Sequence, residues 1–546
     1  MSELNNRKAR RGFSISQGNE TLVSEARLII LDKIEEKNQN QTPYFKDSTN
    51  FTFLLPNLSK YHCKFRAYLE KDLIEQSALL HLEQSDRLNW WCDNECMQRL
   101  WPLATTGDGN CLLHAASLAM WGFHDRHLTL RHAVHHRLIH DNLAFYRRWL
   151  FQSLNDQKSQ GFTLSEDEFN QEWSEICNLS FPSPKGSHKP FDLLTNENDD
   201  EYLSCCHKNN SFSSIIRHSP DKANIHYSPS KTSRSPKSRL PQLTNISRDN
   251  FYDFLEQIHI FVLAQVIRRP IIVISDTYVR DADGQPIQPL QFGGLYLPFL
   301  EKPECCEKTP ILLTYSNSHF SALVPMDLSD GSDACTSHKL PLAVPLIDPA
   351  TFELLPLHFA VDPGDDWKSM KIEDAPKLKH SQFKTTIKTY LNCEEFKFCP
   401  DHKRTKSKSE DEISNELVPD SNKHSLTRSI GKQIKEKFSH KSKSKSASNS
   451  QTNINNQTIN WEKFNDTNSV FGAKLKIKLP LNYKEMIENY LKDAESNFEK
   501  LKIENQKASV EFMSKVNVML ENSDNGINSE IPNIPASFPI NVPNQV

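Results

Sequence analysis

Thr105-Thr-Gly-Asp-Gly-Asn-Cys111-Leu-Leu-His-Ala-Ala-Ser-Leu-Ala-Met-Trp-Gly122 is the stretch on which the fold turns. Two glycines flank Asp108 in a chain that has only 15 glycines, so the spacing predicts a tight turn with unusual backbone angles. An apolar helix follows at once, and Gly122 is placed to stop it. Cys111 then sits in the first turn of a buried helix, where unpaired N–H groups and the helix dipole favour a thiolate. The same turn aims backbone amides into one concavity, as an oxyanion hole requires, and Asp108 is placed to orient that loop. The competing reading is a small buried cysteine that merely starts a core helix, since cysteine is among the most buried residue types.

A nucleophilic cysteine needs a base, usually histidine, and a third group to fix the imidazole tautomer. Of the 21 histidines, His319 is the best placed. It follows Ile311-Leu-Leu-Thr-Tyr315 in the turn Ser316-Asn-Ser-His319 and precedes the apolar run Ser321–Val324, a pattern that predicts a hairpin. The run His124, His127, His132, His135, His136 and His140 contains i,i+4 pairs but no obvious third ligand. Cys205-Cys206, Cys305-Cys306 and Cys393…Cys399…His402 lack the paired CxxC spacing of structural zinc. The expectation is therefore no metal and no cofactor.

Working outward, Phe65, Leu69, Leu73, Ile74, Leu79, Leu80 and Leu82 recur at helical spacing up to Trp90-Trp91. Helical patterns continue over 111–121, 126–151 and 166–179. Residues 180–247 carry four Ser-Pro steps and a basic Ser-rich stretch, read as a flexible insertion. Beyond it, 251–267 is an amphipathic helix entering the strand Ile271–Ile274, and 354–361 is a last strand or edge. Helices among several short strands predict a mixed α+β domain over 51–370, with a small central sheet flanked by helices and the insertion looped out.

Outside that domain, 1–50 reads as a disordered lead-in and 526–546 as a disordered tail. Residues 371–470 read as a basic Ser/Lys-rich linker. Its core, Lys423–Lys445, has eight Lys/Arg against the single acid Glu436, a solvated tail or a weak contact with acidic lipid or nucleic acid. In 471–525, Ile487, Leu491, Ala494, Phe498, Leu501, Asn505, Ala508 and Phe512 form a heptad seam, for a helix docked on the body or a short coiled coil. Hydrophobic residues are only 37% and net charge is −4, which fits a partly folded chain and excludes a globally basic nucleic-acid binder. No apolar run reaches membrane-span length, and the start lacks a signal-peptide core, so a cytoplasmic or nuclear location with reduced cysteines is expected.

Gly107-Asp-Gly-Asn-Cys111-Leu-Leu-His-Ala resembles the nucleophile motif of the ovarian-tumour (OTU) family of deubiquitinating cysteine proteases. Leu69-Glu-Lys-Asp-Leu-Ile-Glu-Gln76, Arg87-Leu-Asn-Trp-Trp91, Met120-Trp-Gly-Phe-His-Asp125, Arg268-Arg-Pro-Ile271, Phe292-Gly-Gly-Leu-Tyr-Leu-Pro298, His319-Phe-Ser-Ala-Leu323 and Leu357-His-Phe-Ala-Val-Asp-Pro-Gly364 resemble its Cezanne branch, over about 51–367.

The resemblance implies a papain-like fold and hydrolysis of the isopeptide bond after the C-terminal glycine of ubiquitin, with Cys111 as nucleophile and His319 as base. It implies that the third member is Glu75, because the position two after the histidine is Ser321, and it gives Asp108 an active-site role. Ubiquitin, polyubiquitin and ubiquitinated proteins are the implied partners, with a preference for lysine-eleven linkages. Residues 1–50 are too short and polar for the family's N-terminal ubiquitin-associated domain, and no cysteine follows Cys399 to build its C-terminal zinc finger. The rival expectations are a catalytically silent ubiquitin-binding scaffold and a protease for another protein modifier.

Overall fold

The computed structural model describes residues 12–35, 49–160, 164–185, 251–280, 286–328, 340–364, 380–397 and 469–524. In chain order these form helix α1 (Glu20–Glu35), α2 (Cys63–Leu73), α3 (Gln76–Gln84), strand β1 (Leu100–Pro102), α4 (Cys111–Trp121), α5 (Thr129–His140), α6 (Asn142–Gln160), α7 (Glu166–Leu179) and α8 (Gln257–Ile267). Then come β2 (Ile271–Ser275), β3 (Tyr278–Arg280), β4 (Pro286–Pro289), β5 (Gly294–Tyr296), β6 (Ile311–Ser316), β7 (His319–Pro325) and β8 (Ala343–Pro345). The chain closes with α9 (His380–Tyr390), β9 (Cys393–Lys397), β10 (Ser469–Lys474) and α10 (Tyr483–Asp524).

Five strands make the central sheet in the order β1-β7-β6-β2-β5. Only the β2–β6 pair is parallel, and Ile271 there faces Ile311. The β6–β7 hairpin turns on Asn317 (φ 52°) and Ser318 (φ 58°), the paired positive angles that a two-residue turn needs to match strand twist. This places His319 at the start of β7, opposite Ser316. Every residue of α4 is buried, and this helix packs on β6 and β7. Helix α8 and strand β2 are buried in the same core, with α8 packed mainly on α5. The extensive packing of α4 on β7 holds the first turn of the helix near the head of that strand. The α+β architecture with a small central sheet is therefore observed.

Several boundaries differ from the sequence reading. Residues 12–35 are not a loose lead-in. Phe13 is 1% exposed, its ring 5.1 Å from Phe53 and 4.9 Å from Tyr490, and Asn19 Nδ2 donates to Phe13 O and Met486 O at 2.8 Å. The N-terminal segment is ordered by contacts some 470 residues away, which no local pattern encodes. The body does not end near 370 either. Strand β10 pairs with β8 and β9 in a second, antiparallel sheet, so pieces of the linker and of the 471–525 segment belong to it.

The first half of α10 docks through Tyr483, Met486, Ile487, Tyr490 and Ala494, and Phe498 meets Phe65 and Tyr68. Leu501 and Phe512 are exposed. The 126–151 pattern is two helices, α5 and α6. Helix α8 starts at Gln257 rather than 251, because Tyr252 N donates to Asp108 O at 2.9 Å and holds that segment off helical angles. Residues 354–361 form only isolated bridges, Ile347–Leu354 and Leu295–Leu357. Most of the insertion, the 423–445 basic stretch and the 526–546 tail lie outside the described residues. Among the described residues no helix is long and apolar enough to cross a membrane.

Candidate active site

Loop 105–110 connects β1 to α4 across the head of β7. Gly109 has φ +89°, and a Cβ there would lie 1.9 Å from Tyr252 O, so only glycine fits. Asp108 folds the loop on itself. Its Oδ1 accepts Asn110 N at 2.9 Å, its Oδ2 meets His114 Nε2 at 3.1 Å, and these bonds hold its carboxyl below the usual range despite the opposing effect of burial.

Arg131 secures the loop from beneath. It is fully buried, donates to Asn110 Oδ1 at 3.1 Å, and also reaches Phe181 O, Leu179 O and Asp253 O. Its guanidinium lies 5.2 Å from the Tyr252 ring. One side chain thus joins both roots of the insertion to the residue before the nucleophile.

Cys111 opens α4 and is 4% exposed. The backbone amides of Phe320, the residue after His319, and of Leu112 and Cys111 itself lie near its sulfur and favour the thiolate. The thiol nevertheless lies above its ordinary value. Burial outweighs the amides, and the Asp108 charge adds to it. The expectation of a depressed thiol therefore fails for this resting state: the sulfur keeps its proton until a base removes it.

His319 is half-buried, and its Nε2 lies 3.2 Å from Thr105 O. A carbonyl accepts only, so Nε2 carries the hydrogen and Nδ1 is left with its lone pair. A Cβ on Gly107 would lie 3.8 Å from that Nδ1, so the loop runs directly under the ring. Burial pushes the imidazole below 6.5, and Glu75 leads the opposing effects, with Thr105 O and Asp108 on the same side. An imidazole below its ordinary value with a free Nδ1 lone pair is suited to act as a general base.

Glu75 sits at the N-cap of α3, its N–H held by Pro102 O at 2.9 Å and its Oε1 accepting from Ser77 Oγ at 2.7 Å. Its charge leads the influences that raise the His319 imidazole. A bond that holds the ring runs to the Thr105 carbonyl, which side-chain motifs do not disclose. A cluster of Phe292, Tyr315 and Phe320, with centroids 4.3–5.5 Å apart, stands near the sulfur; sequence reasoning missed it, although Tyr315 and Phe320, placed either side of the hairpin turn, were a usable signal.

Cys111, His319, Asp108 and Glu75 are thus gathered at one place, with Asp108 on the loop rather than on His319. In the histidine run, His124, His127, His132 and His135 are buried or half-buried among protein partners. His132 and His135 are pushed by burial down to about 4 and about 3, and His135 Nδ1 pairs with Ser180 Oγ at 2.8 Å. No group of three or more potential ligands occurs among the described residues.

A buried cysteine at the start of a helix packed on a mixed sheet, with a histidine at the head of the hairpin strand beneath that helix, is the arrangement of the papain-like class of cysteine hydrolases. Residues 106–320 match the model of the OTU-like cysteine proteases, so the chain carries an OTU domain. Among curated proteins it is 30% identical over 337 residues to mouse tumor necrosis factor alpha-induced protein 3, covering 61% of this chain and 34% of that protein. It is 29% identical to the human protein over the same length, and 28% identical over 313 residues to the ubiquitin thioesterase trabid of Drosophila melanogaster, covering 56% and 31%. The chain spans about a third of the length of these relatives.

Proposed function

We propose that the chain is a ubiquitin-specific cysteine isopeptidase that cleaves after the C-terminal glycine of ubiquitin in polyubiquitin and ubiquitinated proteins. The supporting observation is the seating of the Cys111 sulfur against the Phe320 amide, with the His319 ring fixed over Gly107 and its Nδ1 left as acceptor. His319 Nδ1 takes the thiol proton as sulfur attacks the glycine carbonyl. The tetrahedral oxyanion is held by amides of the 107–111 loop, less that of Asn110, which Asp108 already occupies. As the C–N bond breaks, His319 returns the proton to the departing lysine amine. Water, deprotonated by the same imidazole, then releases the acyl group from sulfur.

The Cezanne-like character, with cleavage of lysine-eleven linkages, belongs to this proposal, resting on the motifs at 69–76, 292–298 and 357–364. So does action in the cytoplasm or nucleus, which the free thiols of the described cysteines support. Incubating the full chain with a panel of defined di-ubiquitins tests it: single ubiquitin should be released, with lysine-eleven dimers cleaved first. Binding of chains without release of ubiquitin from any linkage would favour the silent scaffold instead.

A further inference from the structure

His124 lies in the turn after α4 and touches neither Cys111 nor the open face of the site, yet its ring is bound to the catalytic loop. Thr106 N donates to His124 Nε2 at 3.2 Å, while Thr105 O, on the opposite edge of the same peptide group, receives His319 Nε2 at 3.2 Å. That peptide is a rigid plane, so one unit carries an imidazole on each side and cannot rotate without breaking both bonds. Drawing on its N–H also makes its carbonyl a better acceptor.

We propose that His124 is a positioning residue for His319: it holds the 105–106 peptide in the one orientation that fixes the His319 ring through Nε2 and leaves its Nδ1 with a free lone pair. This rests on the pairing of Cys111 with His319, not on ubiquitin being the substrate.

Three observations support it. First, the bond requires Nε2 of His124 to be unprotonated. The ring is 1% exposed, and burial together with His114, Arg126, Arg27 and His319 drives it well below the ordinary histidine value, so it stays neutral. Second, its Nδ1 then carries the hydrogen and meets no acceptor among the described residues. An unsatisfied buried donor costs about 1–3 kcal/mol, a penalty an apolar residue of similar size avoids, so filling space does not account for the ring.

Third, the turn that carries it is pinned from outside the matched OTU segment. Arg27 of α1 donates to His124 O at 3.1 Å, with its guanidinium 5.4 Å from the Phe123 ring. Gly122, at φ +79°, lies so close to Phe53 that a Cβ would meet its ring at 2.2 Å. The terminal segment thereby reaches the catalytic histidine through one peptide.

The test is the rate of Cys111 alkylation by iodoacetamide against pH, read by site-resolved mass spectrometry on the full chain. It reports the Cys111–His319 pair whether or not ubiquitin is cleaved. His124→Leu should lower the rate at pH 7 by about ten- to hundredfold and move the curve to higher pH, because a loosened His319 leaves a buried, unassisted thiol. His124→Gln, whose Oε1 can accept the Thr106 N–H, should recover to within about threefold of wild type.

A folded His124→Leu protein with the wild-type curve, or a Gln variant as slow as the Leu variant, overturns the proposal. Should the Leu variant not fold, nitrogen-15 histidine spectra of the wild type decide it. Neutral His124 protonated on Nδ1 and His319 protonated on Nε2 at pH 7 are expected; His124 carrying a proton on Nε2 at that pH overturns it. Unchanged alkylation with active ubiquitin cleavage would sink this inference alone, and the reverse pattern would sink only the substrate reading.

Discussion

Thr105 O and His319 Nε2 stand 3.2 Å apart, and this bond decides which nitrogen of the catalytic imidazole can act. With Nε2 committed to a carbonyl, the lone pair available for a proton is on Nδ1. Glu75 adds its charge, the leading influence that raises the imidazole.

Glu75→Gln should therefore weaken the base without unseating it. Burial already holds His319 below its ordinary value, and Glu75 is the leading influence raising it. Losing that charge lets the ring shed its proton at lower pH, so the acid limb of kcat/KM should move about one pH unit down. A weaker base should also cut kcat about tenfold. An unmoved acid limb would mean that Glu75 does not face the imidazole in solution.

Asp108 should matter for stability as well as rate. Its carboxyl is held below its usual value in the folded chain, so it contributes stability that is present above the unfolded value near 4 and is lost as pH falls through the lower folded one. Asp108→Asn should cost about 1–2 kcal/mol in urea midpoints at pH 7 and pH 5, the two proteins converging as pH drops below about 4. A difference that grows on acidification would contradict the assignment.

Gly109→Ala asks for a side chain where Tyr252 O already stands. Left-handed strain adds about 1–2 kcal/mol to that collision, and the flexible partner is the loop itself. Cys111 alkylation and kcat/KM should both fall by at least about a hundredfold while circular dichroism stays near wild type. Retained activity would mean that the 251–253 segment stands away from the loop.

Arg131→Met should be among the costliest single changes, at about 3–5 kcal/mol by denaturant melts. It removes a buried cation and orphans the carbonyls of Leu179, Phe181 and Asp253 together. Loss below about 1 kcal/mol would show that the roots of the insertion are not held by this side chain.

The centre of this fold was legible because local chemistry dictates it. Two glycines around Asp108, a largely apolar α4 and the Ser316-Asn-Ser-His319 turn each demand their own conformation. What escaped was long-range. The ordering of Phe13 depends on Tyr490, and β10 depends on β8 and β9; none of these segments is apolar enough to announce a partner. The thiol was misjudged for a related reason, since the helix start is visible in sequence while the desolvation that overrides it comes from packing. Thr105 was invisible because it acts through its backbone.

The most direct measurement is reaction of the full chain with ubiquitin bearing a C-terminal electrophile, followed by intact-mass and peptide analysis. One stoichiometric adduct is expected, mapped to Cys111, absent from Cys111→Ala and slowed by about a thousandfold or more in His319→Ala. No adduct on folded wild-type protein, or one that persists in Cys111→Ala, would contradict it.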